Sequence, residues 1–199
     1  LANGHVTFGC CNTFSKLNAG VLATWADILK AVPDARLFLK AKALGDPSVA
    51  EQLTQQLASL GIASDRLILE GPSSRAAYLE AYHRVDIALD PFPYPGGTTS
   101  AEALWMGVPV LTRRGTGSPL SGQGESVMHY ANMDDWIAAD RHDYVDRAIT
   151  LASDLTALAE LRAGLRDRVL ASDFFNARQF ALDFEDAMRG MWQDYRGNR

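Results

Sequence analysis

Cysteine is scarce in this sequence: there are two, Cys10 and Cys11, and they are neighbours. A disulfide between adjacent residues would be strained, so free thiols in a reducing, cytoplasmic setting are expected. The four histidines, His5, His83, His129 and His142, fall at no metal-ligand spacing, and neither cysteine has a partner for a zinc site. No apolar run reaches the roughly 18 residues of a membrane helix, so no membrane partner is expected. Positive charge is also short. The 19 Lys and Arg against 24 Asp and Glu leave a formal charge of −5, which provides no global field to hold nucleic acid. The signatures G-x-x-x-x-G-K-[ST], G-x-G-x-x-G and G-x-S-x-G are all missing. The chain opens on Leu1 with neither an initiator Met nor a signal peptide, and is expected to be a fragment of something longer.

What is present suits a soluble α/β domain. A length of 199 residues with 47% hydrophobic and 22% charged residues is enough for one domain with a full core, spanning 1–199 without an internal boundary. Short β-rich runs at 5–11, 35–41, 65–71, 85–90 and 108–112 alternate with helical runs at 18–33, 47–61, 74–84 and 98–107. The first helix carries Val21, Leu22, Trp25, Ile28 and Leu29 on one face. The strands show little polar alternation, as strands covered on both faces do. That order predicts a doubly wound, Rossmann-like parallel sheet. Residues 113–135 read as a Gly/Ser-rich loop followed by a short helix. From about 142 onward the chain reads as additional carboxyl-terminal helices, the last repeating Phe180, Phe184, Met188, Met191 and Trp192 as a stripe expected to be core.

In an open parallel sheet, ligands bind beyond the carboxyl ends of the strands. Four polar clusters fall there: "NTFSK" with Asn12, Thr13 and Lys16, "KAK" with Lys40 and Lys42, "GPSSR" with Ser73 and Arg75, and "PGGTTSAE". In the fourth, Gly96 and Gly97 permit close backbone approach. Thr98 or Thr99 can cap the helix that follows, while first-turn N–H groups and the helix dipole meet a phosphate. Glu102 either accepts two ribose hydroxyls or closes a capping box back on the helix start. Lys16, at the end of the first cluster, can neutralise a diphosphate or simply be solvated, and Lys40 and Lys42 invite the same two readings. Arg75 and Tyr78 can cover a ring by stacking, or Ser73 or Ser74 caps the next helix and Tyr78 is a wall residue.

Taken together, "FGCCNTFSKLNAGVLATWADILKAVPDARLFLKAKALGDP", "DRLILEG", "YHRVDIALDPFPYPGGTTSAEALWMGVPVLT" and "FEDAMRGMW" resemble the catalytic region of the O-GlcNAc transferase and SPINDLY-like family. The match covers nearly the whole chain and corresponds to the donor-binding, carboxyl-terminal half of a GT-B glycosyltransferase. The resemblance implies an inverting enzyme that moves GlcNAc from UDP-GlcNAc to Ser or Thr hydroxyls of proteins, with no metal and no further cofactor. By position, Lys16 matches the lysine that meets the donor diphosphate, and Gly97, Thr98 and Thr99 match the diphosphate turn. Glu102 matches the acidic residue on the ribose, and Ser73 and Arg75 match positions that meet the base. Three positions depart from the family pattern. Thr13 stands where an amide residue is frequent, Tyr78 where a base-stacking His is frequent, and Gly122, in "SGQGES", where the family commonly has Arg. The family's amino-terminal catalytic half and its TPR array are not in the sequence, which implies a chain that binds donor without turning over alone. Neighbouring readings are another GT-B enzyme, either a small-molecule glycosyltransferase or a nucleotide-sugar epimerase, and a non-catalytic nucleotide-sugar binding module.

Overall fold

Strand β1 (Thr7–Cys10) is buried along its whole length, and its position in the middle of a sheet explains the lack of polar alternation. The computed structural model describes residues 4–197; the outermost residues of the expected 1–199 domain lie outside that range. β1 pairs in parallel with β2 (Arg36–Lys40) on one side, Phe8 opposite Leu37. On the other side it pairs with β4 (Ile87–Leu89), Phe8 opposite Ile87. β3 (Leu67–Glu70), β5 (Val110–Arg113) and β6 (Ile137–Ala138) complete a six-stranded parallel sheet in the order β3-β2-β1-β4-β5-β6. The doubly wound arrangement expected from the alternation is therefore present. The order reverses between β1 and β4, where such sheets open a crevice at the carboxyl ends of the strands. Gly9 lets the two strands and the chain before β4 come this close: a Cβ there would stand 2.5 Å from Val85 Cγ2.

Helices cover both faces. α1 (Ala19–Ala31) starts where the Asn18 side chain accepts from the Val21 N–H at 3.1 Å. It buries Val21, Leu22, Trp25, Ile28 and Leu29, the predicted face, and stops ahead of Pro33. Its last carbonyls do not go unmet. The Arg66 guanidinium donates to the Leu29 carbonyl of the helix's last turn, to that of the cap residue Val32 and to that of Ala35 ahead of β2, at 2.7–2.9 Å. α2 (Pro47–Ser59) follows an Asp46 cap and ends before Gly61, whose φ of +85° suits glycine. α3 (Arg75–Glu80) is short and tightens into a 3-10 turn at Ala81–Arg84. α4 (Thr98–Trp105) and α5 (Gln123–Tyr130) flank β5. α6 (Arg141–Ser153), capped by Asp140, packs against α1, with Arg141 Nε donating to Thr24 Oγ1 at 2.8 Å. α7 (Leu155–Leu170) and α8 (Ala177–Gly197) follow.

Two expectations are corrected here. β6 was not anticipated, because two residues after a 3-10 turn leave no periodic pattern to read. The stripe on α8 is not core. No residue of the helix is buried, and Phe180 is 69% and Trp192 58% exposed. Helical spacing of apolar residues establishes that a helix is two-faced, but the surface that covers the apolar face is a separate matter. Among the described residues, no helix is long and apolar enough to cross a membrane.

Candidate binding site at the carboxyl ends of β1 to β4

The four polar clusters converge. Asn12, Thr13, Lys40, Lys42, Ser73, Arg75, Tyr78, Thr98, Thr99 and Glu102 all line one cavity of about 1110 Å³ above the strand ends, together with Cys11 and Asp46. Lys16 and the Gly96-Gly97 turn stand beside it, joined through Asn12. The Asn12 Oδ1 accepts from Lys16 Nζ at 3.2 Å and from Thr99 Oγ1 at 2.9 Å, so one amide bridges the loop after β1 to the start of α4.

Lys16 also donates to the Pro95 carbonyl at 2.7 Å and lies 4.0 Å from the Tyr94 ring centroid. Among the described residues no carboxylate stands within ion-pair distance of it, so its charge is held by neutral acceptors and an aromatic face. Burial lowers its pKa, opposed by the negative charge of Asp90. The result is a cation that an anion can claim without displacing a counter-ion.

The turn between β4 and α4 is fixed from below. Asp90, buried, accepts on Oδ1 from the Gly96 N–H at 3.1 Å and from Ser100 Oγ at 2.9 Å. A Cβ at Gly96 would stand 2.1 Å from Ser100 Oγ and 2.8 Å from Asp90 Oδ1, so only glycine fits. Burial pushes the Asp90 carboxyl up to about 6 against the hydrogen bonds of Ser100 and Gly96. Thr112 lies beside it, yet neither Thr112 Oγ1 nor Asp90 Oδ2 closes a hydrogen bond of ordinary geometry. The capping expectation is corrected: Gly97 is the N-cap residue of α4, and neither Thr98 nor Thr99 caps it. Thr99 is turned to Asn12 instead, so no side chain answers the first-turn N–H groups, which with the helix dipole form an anion-binding end.

Glu102 does not close a capping box either. Its Oε1 accepts from Arg75 Nη1 at 2.6 Å and its Oε2 from the Tyr78 hydroxyl at 2.8 Å. Tyr78 and Tyr82 hydroxyls lie 3.1 Å apart, and Tyr82 donates to the Thr99 carbonyl at 3.1 Å. The capping reading of "GPSSR" holds for Ser74, which accepts from the Ala77 N–H and starts α3. Ser73 is exposed on the cavity rim. Lys40 is no solvated lysine: it is 6% exposed and donates to Glu70 Oε2 and to the Gly71 carbonyl, each at 3.1 Å. Arg84 holds the other oxygen of Glu70 at 2.7 Å, and its hydrogen bond is the main cause that lowers the Glu70 pKa, with that of Lys40 adding to it.

Sequence reasoning passed over four residues that shape this site: Cys11, Glu70, Tyr82 and Asp90. Asp90 carried a usable signal, since an acid at the end of a buried strand, six residues before a glycine turn, is placed to anchor it. Glu70 and Tyr82 carried none short of the fold. Among the described residues no group of three His, Cys, Asp or Glu side chains forms a cation site.

A family model described as glycosyl transferase family 41 matches residues 1–184. The chain is 39% identical to the probable UDP-N-acetylglucosamine–peptide N-acetylglucosaminyltransferase SPINDLY of Arabidopsis thaliana, over 98% of this chain and 21% of that protein. A UDP-N-acetylglucosamine–peptide N-acetylglucosaminyltransferase of Caenorhabditis elegans is 26% identical over 98% of this chain and 17% of its own length. The chain thus spans about a fifth of the plant relative. Among solved structures, a mutant of the Thermobaculum terrenum O-GlcNAc transferase superposes with a TM-score of 0.87 at 39% identity, covering 96% of this chain and 36% of that one. Anabaena HepE in complex with UDP and glucose shares the fold alone, at a TM-score of 0.63 and 16% identity over 92% of this chain and 48% of its own.

Proposed function

Since the chain belongs to glycosyl transferase family 41, we propose that it is the donor-binding half of an inverting glycosyltransferase, taking UDP-GlcNAc as donor and serving transfer to Ser or Thr hydroxyls of proteins. The observation that carries the reading is the Asn12 bridge, which brings Lys16, an ammonium with no carboxylate at ion-pair distance among the described residues, and the start of α4 to one edge of a nucleotide-sized cavity. In transfer, the bond from the anomeric carbon to the phosphate oxygen breaks and negative charge grows on the departing diphosphate. Lys16 and the α4 N–H groups meet that charge, already oriented, which is where electrostatic catalysis has its largest effect. Glu102 receives the ribose, and Ser73 and Arg75 border the base. Donor binding needs no metal ion in this scheme, because Lys16 and the helix end supply the positive charge.

Acceptor contact falls to the part of the enzyme that the relatives carry beyond this segment. Of the two carboxylates on the cavity wall, Asp46 caps α2, and Glu102 holds Arg75 and Tyr78 and keeps its remaining lone pairs for the ribose. The reading brings with it a reducing, cytoplasmic setting, in keeping with the free thiols of Cys10 and Cys11.

Calorimetric titration of the chain with UDP, GDP and UDP-GlcNAc tests it. UDP and UDP-GlcNAc are expected to bind and GDP to bind more weakly, in EDTA as well as in Mg²⁺. Lys16→Ala is expected to weaken UDP at least ~10-fold, one charge-assisted contact, without lowering Tm. In the complete enzyme the same substitution is expected to cost about 10²–10³ in rate. A chain that binds none of the three nucleotides would overturn the proposal.

A further inference from the structure

Three hydroxyl contacts, Tyr78 to Glu102 at 2.8 Å, Tyr78 to Tyr82 at 3.1 Å and Tyr82 to the Thr99 carbonyl at 3.1 Å, share two protons. A carboxylate only accepts, so the Tyr78 proton belongs to Glu102. The Tyr82 proton is then divided between the Tyr78 oxygen and the Thr99 carbonyl. The rings meet edge to face, with centroids 5.7 Å apart and planes at 88°, a geometry that favours this arrangement of the two hydroxyls. Burial raises both phenols above their ordinary pKa, so they remain donors at any working pH.

Glu102 would otherwise be poorly held. Its other partner, Arg75, is 65% exposed, and an ion pair to a long, mostly solvated side chain fixes little. Each oxygen of the carboxylate still has a lone-pair site after these bonds, enough for the two vicinal hydroxyls of a ribose. Tyr78 therefore decides whether those sites face the cavity. One face of its ring lies under the Arg75 guanidinium, 5.4 Å from the ring centroid.

We propose that Tyr78 is a positioning residue for ribose recognition: its hydroxyl aims Glu102 at the 2′- and 3′-hydroxyls of the donor nucleotide, and Tyr82 ties that aim to the Thr99 carbonyl beside the diphosphate turn. The proposal rests on the donor-binding reading above. It makes Tyr78 a strut between α3 and α4, where the family resemblance implies a base-stacking role at this position.

The test is calorimetric titration of the full chain, wild type, Tyr78→Phe and Tyr82→Phe, with UDP, 2′-deoxy-UDP and inorganic pyrophosphate, alongside thermal melts. Wild type is expected to prefer UDP over 2′-deoxy-UDP by ~10-fold or more, the worth of a hydroxyl bonded to a charged group. Tyr78→Phe is expected to reduce that preference below ~3-fold and leave pyrophosphate affinity unchanged, whereas a general loosening of the site would weaken pyrophosphate as well. Tyr82→Phe is expected to fall between the two, since Tyr78 still reaches Glu102, and it decides the matter if Tyr78→Phe melts early. A folded Tyr78→Phe with the wild-type preference overturns the proposal, as does a wild type that binds UDP and its deoxy form equally; in both cases the donor site itself stands. Failure of wild type to bind UDP at all removes the donor reading and this proposal with it.

Discussion

Replacing Asp90 by Asn, which is nearly isosteric, is expected to stabilise the protein at neutral and basic pH, contrary to the usual cost of altering a buried, hydrogen-bonded acid. The carboxyl is fully enclosed beneath the glycine turn, and burial lifts its pKa from the ordinary 3.8 to about 6. The folded state thus disfavours the charged form relative to the unfolded chain. The penalty is complete above the folded pKa, shrinks as pH falls through about 6 and vanishes below 3.8. At pH 8 the difference corresponds to about 3 kcal/mol, already net of the hydrogen bonds that favour the anion. Asn keeps an oxygen for the Gly96 N–H and Ser100 Oγ, which both bond to Asp90 Oδ1. Its amide N–H₂ lies on the side of Thr112 Oγ1, a buried atom with no hydrogen-bond partner. Urea denaturation followed by tryptophan fluorescence, to which the buried Trp25 and Trp136 contribute, measures both proteins at pH 8 and pH 4.5. The Asn variant is expected to be more stable by about 1–3 kcal/mol at pH 8, with the gap narrowing by roughly 2 kcal/mol at pH 4.5. An Asn variant less stable than wild type at pH 8, or a gap that ignores pH, would refute the reasoning.

Four further substitutions separate packing from pattern. Gly96→Ala forces a Cβ into the hydrogen-bonded Ser100 and Asp90, so a loss of about 1–3 kcal/mol and of nucleotide binding is expected by denaturation and titration. Gly164→Ala, in the interior of α7 with open space where the Cβ goes, is expected to raise stability by about 0.5–1 kcal/mol on the same assay. Phe184→Glu and Met188→Glu on the exposed face of α8 are expected to leave the urea midpoint within error, where core positions would lose several kcal/mol.

The sheet was legible because β1, β2 and β4 are apolar runs bounded by turn residues, and because Asn18, Asp46 and Gly61 punctuate the helices between them. The site was legible at the level of position: strand-end clusters in a doubly wound sheet have only one crevice to share. Partnership was less legible. Whether Glu102 answers its own helix start, a ribose or Arg75 depends on α3 approaching α4, a contact between residues more than twenty positions apart in the chain. Lys40 reads as one more polar lysine until β3 places Glu70 beside it. The stripe on α8 shows the reverse failure, since spacing alone describes the helix and leaves its surroundings open.

A crystal structure of the chain with UDP bears most directly on the central claim. The β-phosphate is expected within hydrogen-bond distance of Lys16 Nζ and of the Thr98 and Thr99 amides, with the ribose against Glu102. UDP seated elsewhere on the protein, or in the cavity with its phosphates turned away from Lys16, would contradict the account.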